Sequence, residues 1–248
     1  TCPSTHGLHR PTLSVYVHKV MRDAMDDRNL NNHVTAARHL VHSIEQSAAH
    51  SSMAPYELIC NPGTEPALAI ELAWAAWTLD DRRALPALRL ALVSGPADVR
   101  EAAARALGQM GDHSSKPALF ALLLSDEGGP IAGAVEALAL LGGPDTLAAF
   151  QAVLDDERRS DHVRGMVAEY ASLVRGGEAL VETLHRLTRS PSAVLRFWSA
   201  HSLGAIGEDE SLGYLRALLG DTREAWRGLT VGDEAKAAVQ CIEGRLAP

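Results

Sequence analysis

The segment Val99-Arg100-Glu101-Ala102-Ala103-Ala104-Arg105-Ala106-Leu107-Gly108-Gln109-Met110-Gly111 returns in degenerate form at intervals of 31 to 33 residues. A shift of 31 lays Ala134 to Gly142 on Ala103 to Gly111, and a shift of 64 lays Val163-Arg164 on Val99-Arg100. A shift of 96 gives Leu195-Arg196, Leu203-Gly204 and Gly207, and a shift of −31 reaches Leu68 to Leu79. Within each copy the apolar residues fall at helical spacing: Val99, Ala102, Ala103, Ala106, Leu107 and Met110 form one stripe, and Gly111 ends it. A single helix cannot bury such a stripe alone, so copies at a fixed period must stack on one another.

Between the copies lies a shorter helix. Arg83 to Val93 and Ser114 to Leu124 share Pro86/Pro117, Ala87/Ala118, Leu88/Leu119 and Leu92/Leu123, with the prolines suited to a first helical turn. Looser versions are Asp145 to Leu154, Glu178 to Leu187 and Glu210 to Leu219, and Asp233 to Ile242 reads as a sixth second helix or a terminal cap. Asp98, Asp161 and Ser192 stand near helix starts, where an acceptor side chain can cap free N–H groups. Ala, Leu, Arg and Glu dominate the chain and only 4% of it is aromatic, which points to an all-α protein.

The alternation of a short helix with a second one of the form V-R-x-x-A-A-x-A-L-G-x-x-G resembles the HEAT-like repeats first described in phycobilisome lyases. The resemblance spans residues 66–243 and is strongest at 99–111 and 195–207. It implies a right-handed α-solenoid of HEAT-like hairpins over residues 66–248. Residues 1–65 lack the repeat and are expected to form an N-terminal helical cap and linker. Leu30, Val34, Ala37, Val41, Ile44 and Ala48 mark one amphipathic helix there, Leu13 to Met25 a second behind a Pro3 to Pro11 arm, and His50 to Pro66 the linker. Tyr56, Leu58 and Ile59 suggest that part of the linker packs down.

The same resemblance implies that the position six residues after the motif valine faces the inner, concave surface. Five copies place Trp74, Arg105, Glu136, Glu169 and His201 there, with Trp77, Phe197 and Trp198 as neighbouring apolar contacts. Trp and Arg are the residue types that anchor interfaces. A non-enzymatic scaffold binding a protein or peptide is therefore the expected function, the two glutamates meeting a cationic charge on the partner. The competing reading is a solvated face with Trp74 and Trp77 buried under the cap. Arg100, Arg164 and Arg196, which open three second helices, are expected to set repeat-to-repeat register by pairing with carboxylates or helix ends.

Other chemistry finds less support. The lyase resemblance raises an alternative, a lyase- or chaperone-like protein cupping a small aromatic or tetrapyrrole-like ligand against Trp74, Trp77, Phe197 and Trp198. A HEAT-like DNA glycosylase is a third reading, disfavoured by a formal net charge of −8 and by glutamates in the row. No His-Glu dipeptide of the iron hydroxylases, G-x-S-x-G, phosphate loop or H-E-x-x-H is present, so no catalytic residue or cofactor is expected. Seven of the eleven histidines lie in the first fifty residues, and His39 and His42 sit at i, i+3 with His33 behind them, but no Cys, Asp or Glu falls at i+4 to complete a ligand set, and no metal site is expected. Cys2, Cys60 and Cys241 are isolated, which fits a reduced, cytoplasmic setting. No apolar run approaches the roughly 20 residues of a membrane span, and His6, Gly7, Arg10 and Pro11 break up any signal-peptide core.

Overall fold

The computed structural model describes residues 27–47, 54–125 and 130–246. The expected Pro3 to Pro11 arm and Leu13 to Met25 helix lie outside them. The described residues contain twelve α-helices and one two-stranded hairpin, and they divide into two compact units between Leu141 and Gly142.

The first unit opens with α1 (Asp27–Ser47) and a 3-10 segment, Pro55–Cys60, whose Tyr56 and Ile59 are buried. The linker therefore packs down where its apolar residues are. Then come α2 (Pro66–Thr78), α3 (Leu85–Ser94), α4 (Ala97–Gln109), α5 (Lys116–Leu124) and α6 (Ile131–Leu141). Helices α2, α4 and α6 pack side by side in one layer, with α3 against α4 and α5 against α6. Pro66, Pro86 and Pro117 each occupy a first turn, where their missing N–H costs nothing. Helix α4 ends as expected: Gly111 takes φ of +67°, its N–H donates to the Gly108 carbonyl, and the Asp112 N–H donates to that of Leu107. Asp80 holds the same left-handed position after α2, one repeat earlier.

The second unit contains α7 (Pro144–Asp155), α8 (Asp161–Tyr170), α9 (Val181–Leu187), α10 (Ala193–Ile206), α11 (Ser211–Arg216) and α12 (Val231–Leu246). Helices α8, α10 and α12 form a layer of second helices, so Asp233 to Ile242 is indeed helical and packs on α10 as a further copy. Two first helices are shorter than expected. Residues 177–180 wind as a 3-10 turn before α9, and α11 stops at Arg216. Ser160, one residue before Asp161, caps α8 through its Oγ, while Ser192 occupies the N-cap of α10 without a side-chain bond.

Nothing in the repeat foretells the hairpin of β1 (Glu224–Trp226) and β2 (Leu229–Thr230). Its turn residues Arg227 and Gly228 both have positive φ, the geometry that matches the twist of two antiparallel strands. Thr230 and Asp233 then cap α12 reciprocally: Thr230 N–H and Oγ1 donate to Asp233 Oδ2, and Asp233 N–H donates to Thr230 Oγ1.

Within each layer the helices approach through small residues. At Gly108 of α4 a Cβ would sit 2.5 Å from Ala137 Cα of α6, and at Gly204 of α10 one would sit 2.9 Å from Ala238 Cα of α12. This approach brings one copy's side chains within reach of the next.

Candidate functional site

At the six-residue position two side chains, Arg105 and His201, bond to their counterparts on the neighbouring second helix. Arg105 of α4 donates through Nε to Glu136 Oε2 of α6 at 3.0 Å and lies 2.6 Å from Glu101 Oε1. Glu136 is only 2% exposed, and Gln109 Nε2 adds a longer contact at 3.4 Å. In the second unit His201 Nδ1 of α10 meets Glu234 Oε1 of α12 at 2.8 Å. The paired residues are 31 and 33 positions apart, one repeat, so the row forms rungs between successive copies. Glu234 is thus a member of the row that the sequence reading missed. A shift of 33 from His201 would have found it, had the last helix been treated as a full copy rather than a possible cap.

Glu136 and Glu169 are both buried, so their charge is not displayed to solvent as a site for a cationic ligand requires. A buried carboxylate needs a nearby cation to offset desolvation, and the fold supplies Arg105 to Glu136 internally. Trp74, Arg105 and Glu136 come together in the first unit. Trp74 and Trp77 are half-buried, their rings 5.2 Å apart and tilted by 54°, and with Ala102, Arg105, Ala106, Gln109 and Glu136 they line one small recess between α2, α4 and α6. Glu169 and His201 belong to the second unit, where Glu169 adds negative charge near the imidazole.

Phe197 and Trp198 were expected beside this face, but they are core side chains, 1% and 4% exposed. Trp198 packs over Gly165 of α8, against Trp226 of the hairpin at 5.4 Å and edge-on to Phe197 at 4.9 Å. Helical spacing placed them near the row. The hairpin, invisible in the repeat, then covers Trp198, and neither ring is left open to a ligand.

Two of the three motif arginines make the structural contacts expected of them. Arg164 donates to the Leu154 carbonyl at the end of α7 through Nη2 at 2.9 Å, and Arg196 holds Asp221 through Nε at 2.8 Å while Nη1 takes the Ser190 carbonyl. Arg164 thereby ties the two helices of one hairpin, and Arg196 ties its own loop to the next. Burial pushes the Asp221 carboxyl up, but hydrogen bonds from Arg223 and Arg196 outweigh it and hold the group below its usual range.

His201 carries a testable electrostatic signature. Burial disfavours its charged form, yet the hydrogen bond to Glu234 and the charges of Glu234 and Glu169 prevail, raising its pKa. A raised folded-state pKa contributes stability that is complete below the unfolded value, near 6.5, and is lost as pH rises through the folded one. Thermal stability is therefore expected to fall on going from mildly acidic to mildly alkaline pH, and His201→Gln to flatten that slope. An equal slope in the variant would show that the imidazolium does not hold α12.

One constellation has the composition of a nucleophilic triad. His185 Nε2 lies 2.8 Å from Ser211 Oγ and Nδ1 lies 3.8 Å from Glu182 Oε2. Ser211, however, is 1% exposed, and the imidazole is stacked flat on Tyr214. No substrate carbonyl can reach that hydroxyl, and the bond ties α9 to α11. Among the described residues no three His, Cys, Asp or Glu side chains are grouped to hold a metal ion, and no helix is long and apolar enough to cross a membrane.

A family model described as HEAT repeats matches residues 59–139, the segment that contains α2 to α5 and most of α6. No curated protein matches the sequence significantly. Among solved structures, a chain from the complex of CpcE and CpcF of phycocyanin lyase from Nostoc sp. PCC7120 is similar at 21% identity, with 97% of each chain covered and a TM-score of 0.45. An engineered protein, Northeast Structural Genomics Consortium target OR329, is similar at 20% identity, covering 77% of this chain and 97% of that one with a TM-score of 0.50. Residues 59–139 thus match HEAT repeats, and paired helices continue with the same period up to Leu246.

Proposed function

We propose that this is a non-enzymatic binding module that takes a protein or peptide on the second-helix layer of its first unit, with Trp74 and Trp77 as the anchor. The observation that carries the reading is the half-buried tryptophan pair beside the Arg105–Glu136 bridge, in a layer rich in Ala and Leu. Two aromatic side chains with few rotatable bonds, already packed along one edge, bury large area on contact at low entropic cost. The bridge serves this by fixing the recess wall, not by offering charge. The recess has room for only about 10 Å³, too little to enclose a small molecule, and the burial of Phe197 and Trp198 removes half of the aromatic surface a cupped chromophore would need. The odd number and wide spacing of Cys2, Cys60 and Cys241 in the sequence support a reduced, cytoplasmic setting.

The test is quantitative capture of partners from a lysate of the source organism by wild type and by the Trp74→Ala/Trp77→Ala variant, each checked by thermal melting. At least one protein retained by wild type is expected to drop about tenfold on the variant. Trp74→Phe keeps an aromatic anchor and should retain most of it. An unchanged partner set would exclude this face, and a chromophore co-purifying with wild type would favour the ligand-cupping alternative instead.

A further inference from the structure

A three-layer stack in the second unit holds a cation whose hydrogen-bonding capacity is unused. The guanidinium of Arg189 lies over the Tyr214 ring at 4.9 Å, and Tyr214 stacks on His185 at 4.0 Å with only 3° between the planes. His185 is in turn anchored to Ser211 Oγ. Burial lowers the His185 pKa, so the imidazole is neutral at physiological pH and Arg189 is the charged layer of the stack. A guanidinium held over a ring keeps its N–H donors available to a ligand.

Those donors are not claimed by the protein. Arg189 follows the end of α9, where unsatisfied carbonyls would normally attract it. Here the Leu184, Arg186 and Leu187 carbonyls accept the N–H groups of Thr188, Arg189 and Ser190, and the His185 carbonyl accepts Thr188 Oγ1. Nearby Arg186 is bridged to Asp155, and Arg164 to the Leu154 carbonyl. Among the described residues no carboxylate lies within bridging distance of exposed Arg189.

Two recesses meet at this side chain. One is floored by Gly213, Ala217 and Leu218 and is mainly apolar, and the other runs past Pro191 and Arg186 toward Glu157 and Asp161. We propose that this groove binds an acidic segment of a partner protein, one carboxylate forking onto Arg189 and an adjacent apolar side chain resting on Ala217 and Leu218. Charge complementarity supplies the argument: a planar, pre-oriented guanidinium matches a carboxylate in two parallel hydrogen bonds. Glu157 and Asp161 at the far wall repel a continuous polyanion such as a nucleic-acid backbone but not a single carboxylate. The groove lies at the first helices α9 and α11, so it is a separate surface from the Trp74 recess and does not depend on it.

The probe is a capped, fluorescently labelled peptide with two adjacent glutamates flanked by leucines, titrated against the full chain by anisotropy at low salt. Replacing its glutamates by glutamine, or Arg189 by Gln, is expected to weaken binding about tenfold. Arg189→Lys, which keeps charge but loses the fork, should lose nearly as much, and Tyr214→Phe, which keeps the ring, should bind as wild type. Trp74→Ala/Trp77→Ala should leave this binding unchanged, which separates failure here from failure of the second-helix reading. Wild-type affinity in Arg189→Gln, absence of binding to wild type, or tighter Arg189-dependent binding of a single-stranded oligonucleotide of equal charge would each overturn the proposal.

Discussion

Replacing Gly108 by alanine is expected to destabilise the first unit by about 2 kcal/mol, and by valine more, although alanine in an unhindered helix gains about 1 kcal/mol over glycine. The sign reverses because a Cβ at this position would meet Ala137 Cα at 2.5 Å and Ala137 Cβ at 2.7 Å. Both are fixed by the backbone of α6, so no side-chain rotation relieves the clash. Relief requires moving α4 away from α6, which breaks packing along the whole interface and pulls Arg105 from Glu136. Gly204→Ala should show the same sign with a smaller effect, its nearest Ala238 atoms lying at 2.9 Å. Gly213→Ala serves as the control: nothing lies within 4 Å, so this substitution should stabilise α11 by about 0.5–1 kcal/mol. Urea denaturation of the three variants reads these differences directly. Equal stabilisation by Gly108→Ala and Gly213→Ala would mean that the second helices do not approach as closely as described.

The second large effect is expected at the rung between α4 and α6. Arg105→Met should cost about 3 kcal/mol, because Glu136 stays in the core without the guanidinium that offsets its desolvation. The side chains are 20% and 3% exposed, so solvent screens the pair weakly. Replacing both partners by apolar residues of similar volume, Arg105→Met with Glu136→Leu, should recover most of the loss, giving a coupling energy in a double-mutant cycle of about 2 kcal/mol. Charge reversal at Glu136 alone would set two cations together in the interface and should be as damaging as Arg105→Met. That outcome distinguishes a packing rung from a solvent-facing ligand contact, since reversal at an exposed contact would leave the unfolding curve in place. Additive single and double variants would show that the two residues do not act as a pair.

Much of the helical layout was legible because it is local. The apolar stripe from Val99 to Met110, the proline in the first turn of α3 and α5, and the left-handed glycine after α4 each act over a few residues, and each appears where periodicity puts it. Capping was read less well. Ser160 rather than Asp161 holds the start of α8, since a one-residue shift at a helix end changes little in the apolar pattern. The hairpin at Glu224–Thr230 carries too short a pattern to separate from a loop, and its burial of Trp198 could not be foreseen without it.

The candidate row shows where local information stops. Spacing alone established that Trp74, Arg105, Glu136, Glu169 and His201 occupy one register, because a 31- to 33-residue period returns each to the same side of its helix. Whether such a side chain meets solvent or the next helix depends on the interhelical distance, and that is set where Gly108 and Gly204 let two backbones nearly touch. Only the packed structure turned Arg105 and His201 toward Glu136 and Glu234, and stacked Arg189 on Tyr214, because bonds between helices need partners that no intrahelical periodicity can specify.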